Sequence, residues 1–236
     1  MLHQESLHSA YQPNSAHQPI SVSRPPQPAE TAQKPLPAAL TKTGVQHRYS
    51  RNSEIYGEGE PIENVYLVVS GAVRTYKLLS DGRRQIGDFH IQGDVFGLEV
   101  GDERQFTAEA IADSVVIVAS RSAVVSMASS DAALASALWN HTAKDLKRAQ
   151  DHLLLLGRKR AQERVATFLL DMAGRNRADI VVELPMSRQD IADYLGLTIE
   201  TVSRTLTRLE DDAAIEIPSS RRIVLSDKRA LRRLNA

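Results

Sequence analysis

The spacing of apolar positions changes along this chain, and each change predicts a different kind of element. Up to about residue 44 apolar side chains are sparse and unperiodic, and seven of the ten prolines fall there (Pro13, Pro19, Pro25, Pro26, Pro28, Pro35 and Pro37). Such a stretch buries too little surface to offset its ordering entropy, so residues 1–44 read as a disordered, proline-rich arm. His3, His8 and His17 lie in it and read as solvated. From about Tyr49 to Ser120 the texture is one of short strands. Val65-Tyr66-Leu67-Val68-Val69 is broken by Ser70-Gly71, Val73 to Leu78 alternates, and Ser80-Asp81-Gly82 turns the chain into Arg83 to Ile86. Phe106 to Ala112 and Val115 to Ala119 follow. Strands at this spacing between glycine turns predict an antiparallel β-roll over about 45–128.

From Arg121 to about Arg175 the period becomes helical. Leu134, Leu138, Thr142, Leu146, Ala149, Leu153 and Leu156 recur at steps of three and four, one stripe on a long helix over 129–157. That stripe suits packing against the roll and a coiled-coil dimer seam equally. Gly157 marks a break before a further helix from Arg160 to Ala173.

The most informative stretch is Ser187 to Leu209. Ser187 can cap a helix, with Asp190 three residues on as a near-capping-box partner, and Ile191, Ala192 and Leu195 supply its inner face. Gly196 permits a tight left-handed turn, Thr198 caps the next helix, and Val202, Leu206 and Leu209 face inward. A helix, a short glycine turn and a second helix is helix-turn-helix spacing. The second helix is the candidate reader. Ile199, Glu200, Ser203 and Arg204 stand at its beginning, away from the buried positions, and the last three project together. An arginine can grip guanine O6 and N7 in the major groove, and a glutamate can accept from cytosine N4. Glu200 and Arg204 could equally form a surface ion pair worth about 0.3–0.5 kcal/mol. Ser187, Arg188, Thr198, Thr201, Thr205 and Arg208 are candidates for the phosphate backbone. So are Arg221 and Arg222, at the tip of a predicted hairpin from Ile215 to Leu225; a basic hairpin directly after the reading helix is winged-helix layout.

Composition and charge refine this only modestly. The chain has 236 residues, a formal net charge of zero and no cysteine, which removes disulfides, thiolate metal sites and cysteine nucleophiles together. From Arg158 onward there are 15 Lys and Arg against 12 Asp and Glu, a slightly basic end that suits DNA. No apolar run approaches the length of a membrane span and Met1-Leu2-His3-Gln4 lacks a basic leader, so a cytoplasmic protein is expected.

With these residues in view, the chain closely resembles the CRP/FNR superfamily of transcription regulators, in its FixK-type, FNR-like branch. The resemblance spans about Tyr49 to Leu234. It is strongest in the block from Leu184 through Gly196-Leu197-Thr198 to Arg204, with support from Tyr66 to Gly71 and Gly93-Asp94-Val95-Phe96-Gly97. It implies an α+β chain: an N-terminal antiparallel β-roll (double-stranded β-helix or jelly roll), a long dimerisation helix, and a C-terminal winged helix-turn-helix over 158–236. It also tips the long-helix stripe toward a homodimer seam. The matching glutamate, serine and arginine of FNR-like members read TTGA-type half-sites as inverted repeats, and CRP-like relatives carry an extra arginine where this chain has Ile199. FixK-type proteins activate genes of low-oxygen respiration and nitrogen fixation by recruiting RNA polymerase; loops 91–94 and 98–104 resemble regions used for that contact.

Cyclic-nucleotide-binding members carry a Gly-Glu pair and an Arg-Ser/Thr-Ala run. Here Gly97 is followed by Leu98 and the run reads Phe106-Thr107-Ala108, so both charged groups are expected to be replaced by apolar side chains. Cyclic AMP is therefore not expected to bind, nor is any cofactor or metal. The alternative reading is a sensor that holds an unidentified small molecule or haem in the roll. A cupin-like metal dioxygenase would need clustered histidines, and His90 stands alone in its region as a surface or internally satisfied residue. No enzyme is expected.

Overall fold

The computed structural model describes residues 36–158, 160–175 and 180–234. Most of the predicted arm, with His3, His8 and His17, lies outside the described residues. Its predicted end at residue 44 is corrected, because Leu36–Thr43 form helix α1, with Leu36, Ala39 and Leu40 buried. Proline at the second position is compatible with a helical first turn, where its missing N–H costs no bond.

The roll comprises β1 (Val45–Tyr49), β2 (Glu54–Tyr56), β3 (Asn64–Ser70), β4 (Ala72–Leu78), β5 (Arg84–Ile91), β6 (Val95–Phe96), β7 (Thr107–Ala110) and β8 (Ser114–Ser120). They form two four-stranded antiparallel sheets, in the orders β1-β8-β3-β6 and β2-β7-β4-β5. The apolar run in β3 is continuous because both of its faces are covered. Tyr66 and Val68 point into the roll against Tyr56, Phe96 and Val116. Val65 and Leu67 point outward into a second cluster that contains Leu36 and Leu40 of α1, Val124 and Leu134. That outer cluster is what holds α1: Leu36 and Leu40 leave water by completing, with Val124 and Leu134, the cover over this face of the sheet.

Helix α2 (Arg121–Ser130) leads into α3 (Ala132–Arg158), whose first amides, Ala133 and Leu134, donate to Asp131 Oδ1 at 3.0 and 3.2 Å. After α4 (Ala161–Arg175) come β9 (Val181–Glu183), α5 (Arg188–Leu195), α6 (Ile199–Asp211), β10 (Glu216–Ser219), β11 (Arg222–Val224) and α7 (Lys228–Arg233). Strands β10, β11 and β9 make a three-stranded antiparallel wing. The predicted hairpin is its outer pair, while β9 and α7 were not anticipated. The C-terminal core gathers Phe168, Leu169 and Met172 of α4, Ile191 and Leu195 of α5, Val202, Leu206 and Leu209 of α6, and Ile223 of the wing.

The stripe on the long helix divides. Leu134 is 1% exposed and buried under the roll, so it serves the chain's own core rather than a seam, while Leu138 is half-buried and packed beside it. Leu156 is half-buried, near Gly196. Between them Thr142, Leu146, Ala149 and Leu153 are exposed, and Trp139 joins them one step earlier at 75% exposure. The neighbouring face, through His141, Arg148 and His152, turns inward: His141 Nε2 lies 3.1 Å from the Val95 carbonyl, Arg148 reaches Asp88 at 3.6 Å, and the His152 ring lies 4.1 Å from that of Tyr194.

Candidate nucleic-acid interface

Each helix of the helix-turn-helix starts on a side-chain cap. Ser187 Oγ accepts from the Asp190 amide at 3.1 Å, while Asp190 Oδ2 accepts from the Ser187 amide at 2.9 Å, so the near-capping box closes fully with aspartate in place of glutamate. Gly196 ends α5 with φ 61° and ψ 41°, the left-handed conformation that glycine adopts without steric cost, and its amide bonds the Ala192 carbonyl. Arg164 Nη1 donates to the Leu195 carbonyl at 2.8 Å and Nη2 to the Leu156 carbonyl at 2.9 Å, tying the ends of α5 and α3 together. Thr198 Oγ1 then accepts from the Thr201 amide at 3.2 Å and opens α6.

Val202, Thr205, Leu206 and Leu209 form the inner face of α6. Thr205, a backbone-contact candidate, is only 9% exposed and is withdrawn from that role: it falls on the i, i+3, i+4 stripe that packs against the core. Ile199, Glu200, Ser203 and Arg204 are all exposed on the first two turns. The Glu200 carboxyl is held below the usual range first by its own backbone amide and then by the Thr198 hydroxyl, with Arg204 the weakest influence.

The other backbone candidates are presented unequally. Thr198, Arg208, Arg221 and Arg222 are exposed, although Arg222 Nε lies 3.6 Å from Glu183. Ser187 donates its hydroxyl to Asp190 Oδ2 at 2.8 Å, Thr201 is half-buried, and Arg188 is half-buried with Nη1 unpartnered.

Within the roll Leu98 and Phe106 stand at the two positions read as lacking the charged pair, but a buried arginine lies close by in the chain. Arg104, 2% exposed, donates to the carbonyls of Gly97 at 3.0 Å and Asn64 at 2.6 Å, lies over the Tyr56 ring at 4.2 Å, and reaches Glu99 at 3.6 Å. A Cβ at Gly97 would come within 3.0 Å of this guanidinium, so glycine makes the approach possible. Sequence reading did not single out Arg104, because the carbonyls that enclose it come from Asn64 and Gly97 elsewhere in the chain. His90 is buried rather than on the surface: its ring stacks on Phe96 at 4.7 Å, with Nε2 3.3 Å from the Thr75 hydroxyl. Burial pushes its pKa down, opposed by the Asp88 and Asp94 carboxylates.

Residues 46–131 match the cyclic nucleotide-binding domain family and residues 163–234 the Crp-like helix-turn-helix domain family. The roll, the long helix and the winged helix-turn-helix together define the class, and the chain belongs to the CRP/FNR family of transcription regulators. Within it the chain is of the FixK type. It is 56% identical over 193 residues to the nitrogen fixation regulation protein FixK of Azorhizobium caulinodans, covering 80% of this chain and 78% of that protein. FixK of Rhizobium meliloti is 43% identical over 84% of this chain and 90% of its own. The structure of FixK2 from Bradyrhizobium japonicum superposes with a TM-score of 0.79 at 52% identity, covering 82% of this chain and 98% of that one. These relatives are regulators, not enzymes. Among the described residues no helix is long and apolar enough to cross a membrane.

Proposed function

We propose that this chain is a cytoplasmic homodimeric activator that reads TTGA–TCAA palindromes without a cyclic nucleotide and recruits RNA polymerase to genes of microaerobic respiration and nitrogen fixation. The observation that carries the reading is the presentation of Glu200, Ser203 and Arg204 together, exposed, on the first two turns of a helix whose opposite face is buried. Recognition helices place their N-terminal residues on base edges, and a two-fold dimer sets its half-sites one turn apart, roughly 34 Å between centres. Thr198, Arg208, Arg221 and Arg222, all exposed, are the candidates for the phosphate backbone. The exposed series Trp139, Thr142, Leu146, Ala149 and Leu153 supports the dimer, because it repeats at steps of three and four, as a coiled-coil seam does.

Effector independence is supported by Arg104. Its Nη atoms donate to two carbonyls of the chain itself and lie within ion-pair distance of Glu99, so an anionic ligand reaching for them would have to compete with those partners. The polymerase contact is assigned less finely: loop 98–104 exposes Val100, Asp102 and Glu103. The test is a gel-shift titration of ligand-free protein, at a stated salt concentration. The probes are a TTGAT–ATCAA duplex and the same duplex with both guanines changed. Preference for the first supports both the site and effector independence; equal binding, or none, sinks the assignment as stated.

A further inference from the structure

The first helix of the reading unit is gripped by the roll through a compact charge cluster. Arg74 on β4 donates from Nη1 to Asp190 Oδ1 at 2.7 Å and from Nη2 to Glu109 Oε1 at 2.7 Å. Arg84 on β5 donates from Nη2 to the same Asp190 Oδ1 at 2.6 Å and from Nε to Asp193 Oδ2 at 2.8 Å. Gln85 adds a bond to the Asp193 carbonyl at 2.9 Å, and the ring of Tyr76 lies 5.6 Å from each guanidinium carbon. The arginines and both aspartates are largely buried, so these are not exposed pairs that salt readily screens.

The two oxygens of Asp190 have separate partners. Oδ2 closes the capping box with Ser187, and Oδ1 takes both arginines of the roll. One carboxylate therefore fixes where α5 begins and how it sits on the roll. Burial raises its pKa, but the Ser187 amide and hydroxyl, then Arg74 and Arg84, hold it below the usual carboxylate range. Helix α6 follows α5 across the single left-handed turn at Gly196 and shares its core, so a shift of α5 is passed to α6. The same junction holds a second brace. Arg175 of α4 reaches Asp94 at 2.7 Å and also donates to the Phe89 carbonyl, while the Phe89 ring lies 6.2 Å from Phe168 and 5.3 Å from Tyr194. That brace holds α4 and touches α5 only through the Tyr194 ring; Arg74 and Arg84 supply the charged grip on α5 at Asp190 and Asp193, and they leave the reading residues of α6 exposed.

We propose that Arg74 and Arg84 are positioning residues for DNA recognition: through Asp190 and Asp193 they make the β4–β5 hairpin a platform that presets the angle at which α6 meets the major groove. The proposal rests on the DNA-reading function above. A dimer must deliver two helices at a fixed separation. A reader already held at the correct angle loses less freedom on binding than one that swings on its own.

The test uses the full-length chain with Arg74→Met, Arg84→Met and the double variant, plus Arg84→Asp alone and combined with Asp193→Arg. Fluorescence anisotropy on the two duplexes above gives affinity, and hydrogen–deuterium exchange gives local opening. The double methionine variant is expected to bind the TTGA duplex roughly tenfold more weakly, with faster exchange in α5 and α6 and unchanged exchange in β3 and β8. Arg84→Asp should weaken binding, and adding Asp193→Arg should recover most of it, which a merely structural loss would not allow. Binding equal to wild type or tighter in the double variant, or failure of the swap to recover affinity, would overturn the proposal. If the wild type shows no preference for the TTGA duplex, the base assignment fails separately. The clasp then stands or falls on exchange: unaltered α5 and α6 in the double variant removes it.

Discussion

Arg204→Ala removes a side chain that projects from the second turn of α6 into solvent, one position away from the buried Thr205. Nothing in the core loses a contact, and alanine is at least as good a helix former as arginine. An exposed substitution of this kind stays within about 0.5 kcal/mol of wild type, which for a chain of this size is a Tm change of at most about 2 °C. The loss should therefore appear in DNA binding. A bidentate arginine–guanine contact is worth about 1–3 kcal/mol of discrimination, or roughly 5- to 150-fold per half-site. Two half-sites in a palindrome double this to about 2–6 kcal/mol if the positions act independently. The assay is anisotropy of wild type and variant on the TTGAT–ATCAA duplex and its guanine-changed partner, across a salt series, with Tm measured alongside. The variant should bind both duplexes with nearly equal affinity, close to the wild type's affinity for the changed one. Retention of the wild-type preference would refute the role of Arg204. Equal weakening on both duplexes with a salt slope shallower by about 1.8, one phosphate contact per half-site, would place Arg204 on a phosphate instead.

Leu146→Glu with Leu153→Glu alters side chains that are 59% and 71% exposed within the protomer; the variant should stay folded by circular dichroism yet sediment as a monomer, and a persistent dimer would move the seam elsewhere. Gly196→Ala forces a left-handed alanine at a cost of roughly 1–2 kcal/mol, while its Cβ would meet Arg164 and Leu156 only at an ordinary 3.4 Å. A Tm fall of about 2–8 °C is expected by calorimetry; no change would mean that α5 ends differently. Leu40→Ala removes a fully buried side chain of α1 and should destabilise by about 2–5 kcal/mol in urea unfolding. An effect below about 0.5 kcal/mol, the range of exposed positions, would show that α1 is not docked on the roll.

What the sequence by itself determined lies where the signal is local. The caps Ser187 and Thr198, the turn at Gly196 and the inward series Val202, Leu206, Leu209 are each specified within a few residues, so the reading unit and its presented side chains were legible before any coordinates. Strand runs such as Val73 to Leu78 were legible for the same reason, since alternation reports a half-buried strand. Only the tertiary structure decided matters that depend on partners far away in the chain. Leu36-Pro37-Ala38-Ala39-Leu40 looks like the end of a proline-rich arm until the outward face of β3 needs covering. The long-helix stripe reads as one surface, yet the roll claims Leu134, half-buries Leu138 and leaves Thr142 to Leu153 to solvent. Nothing near Arg104 announces that carbonyls from Asn64 and Gly97 will enclose it. Arg74 and Asp190, separated by 116 positions, carry no mark of one another. A side chain's helical or strand periodicity is set by its own backbone, whereas its charge partner is set by which surfaces the fold brings together; the first is written locally and the second is not.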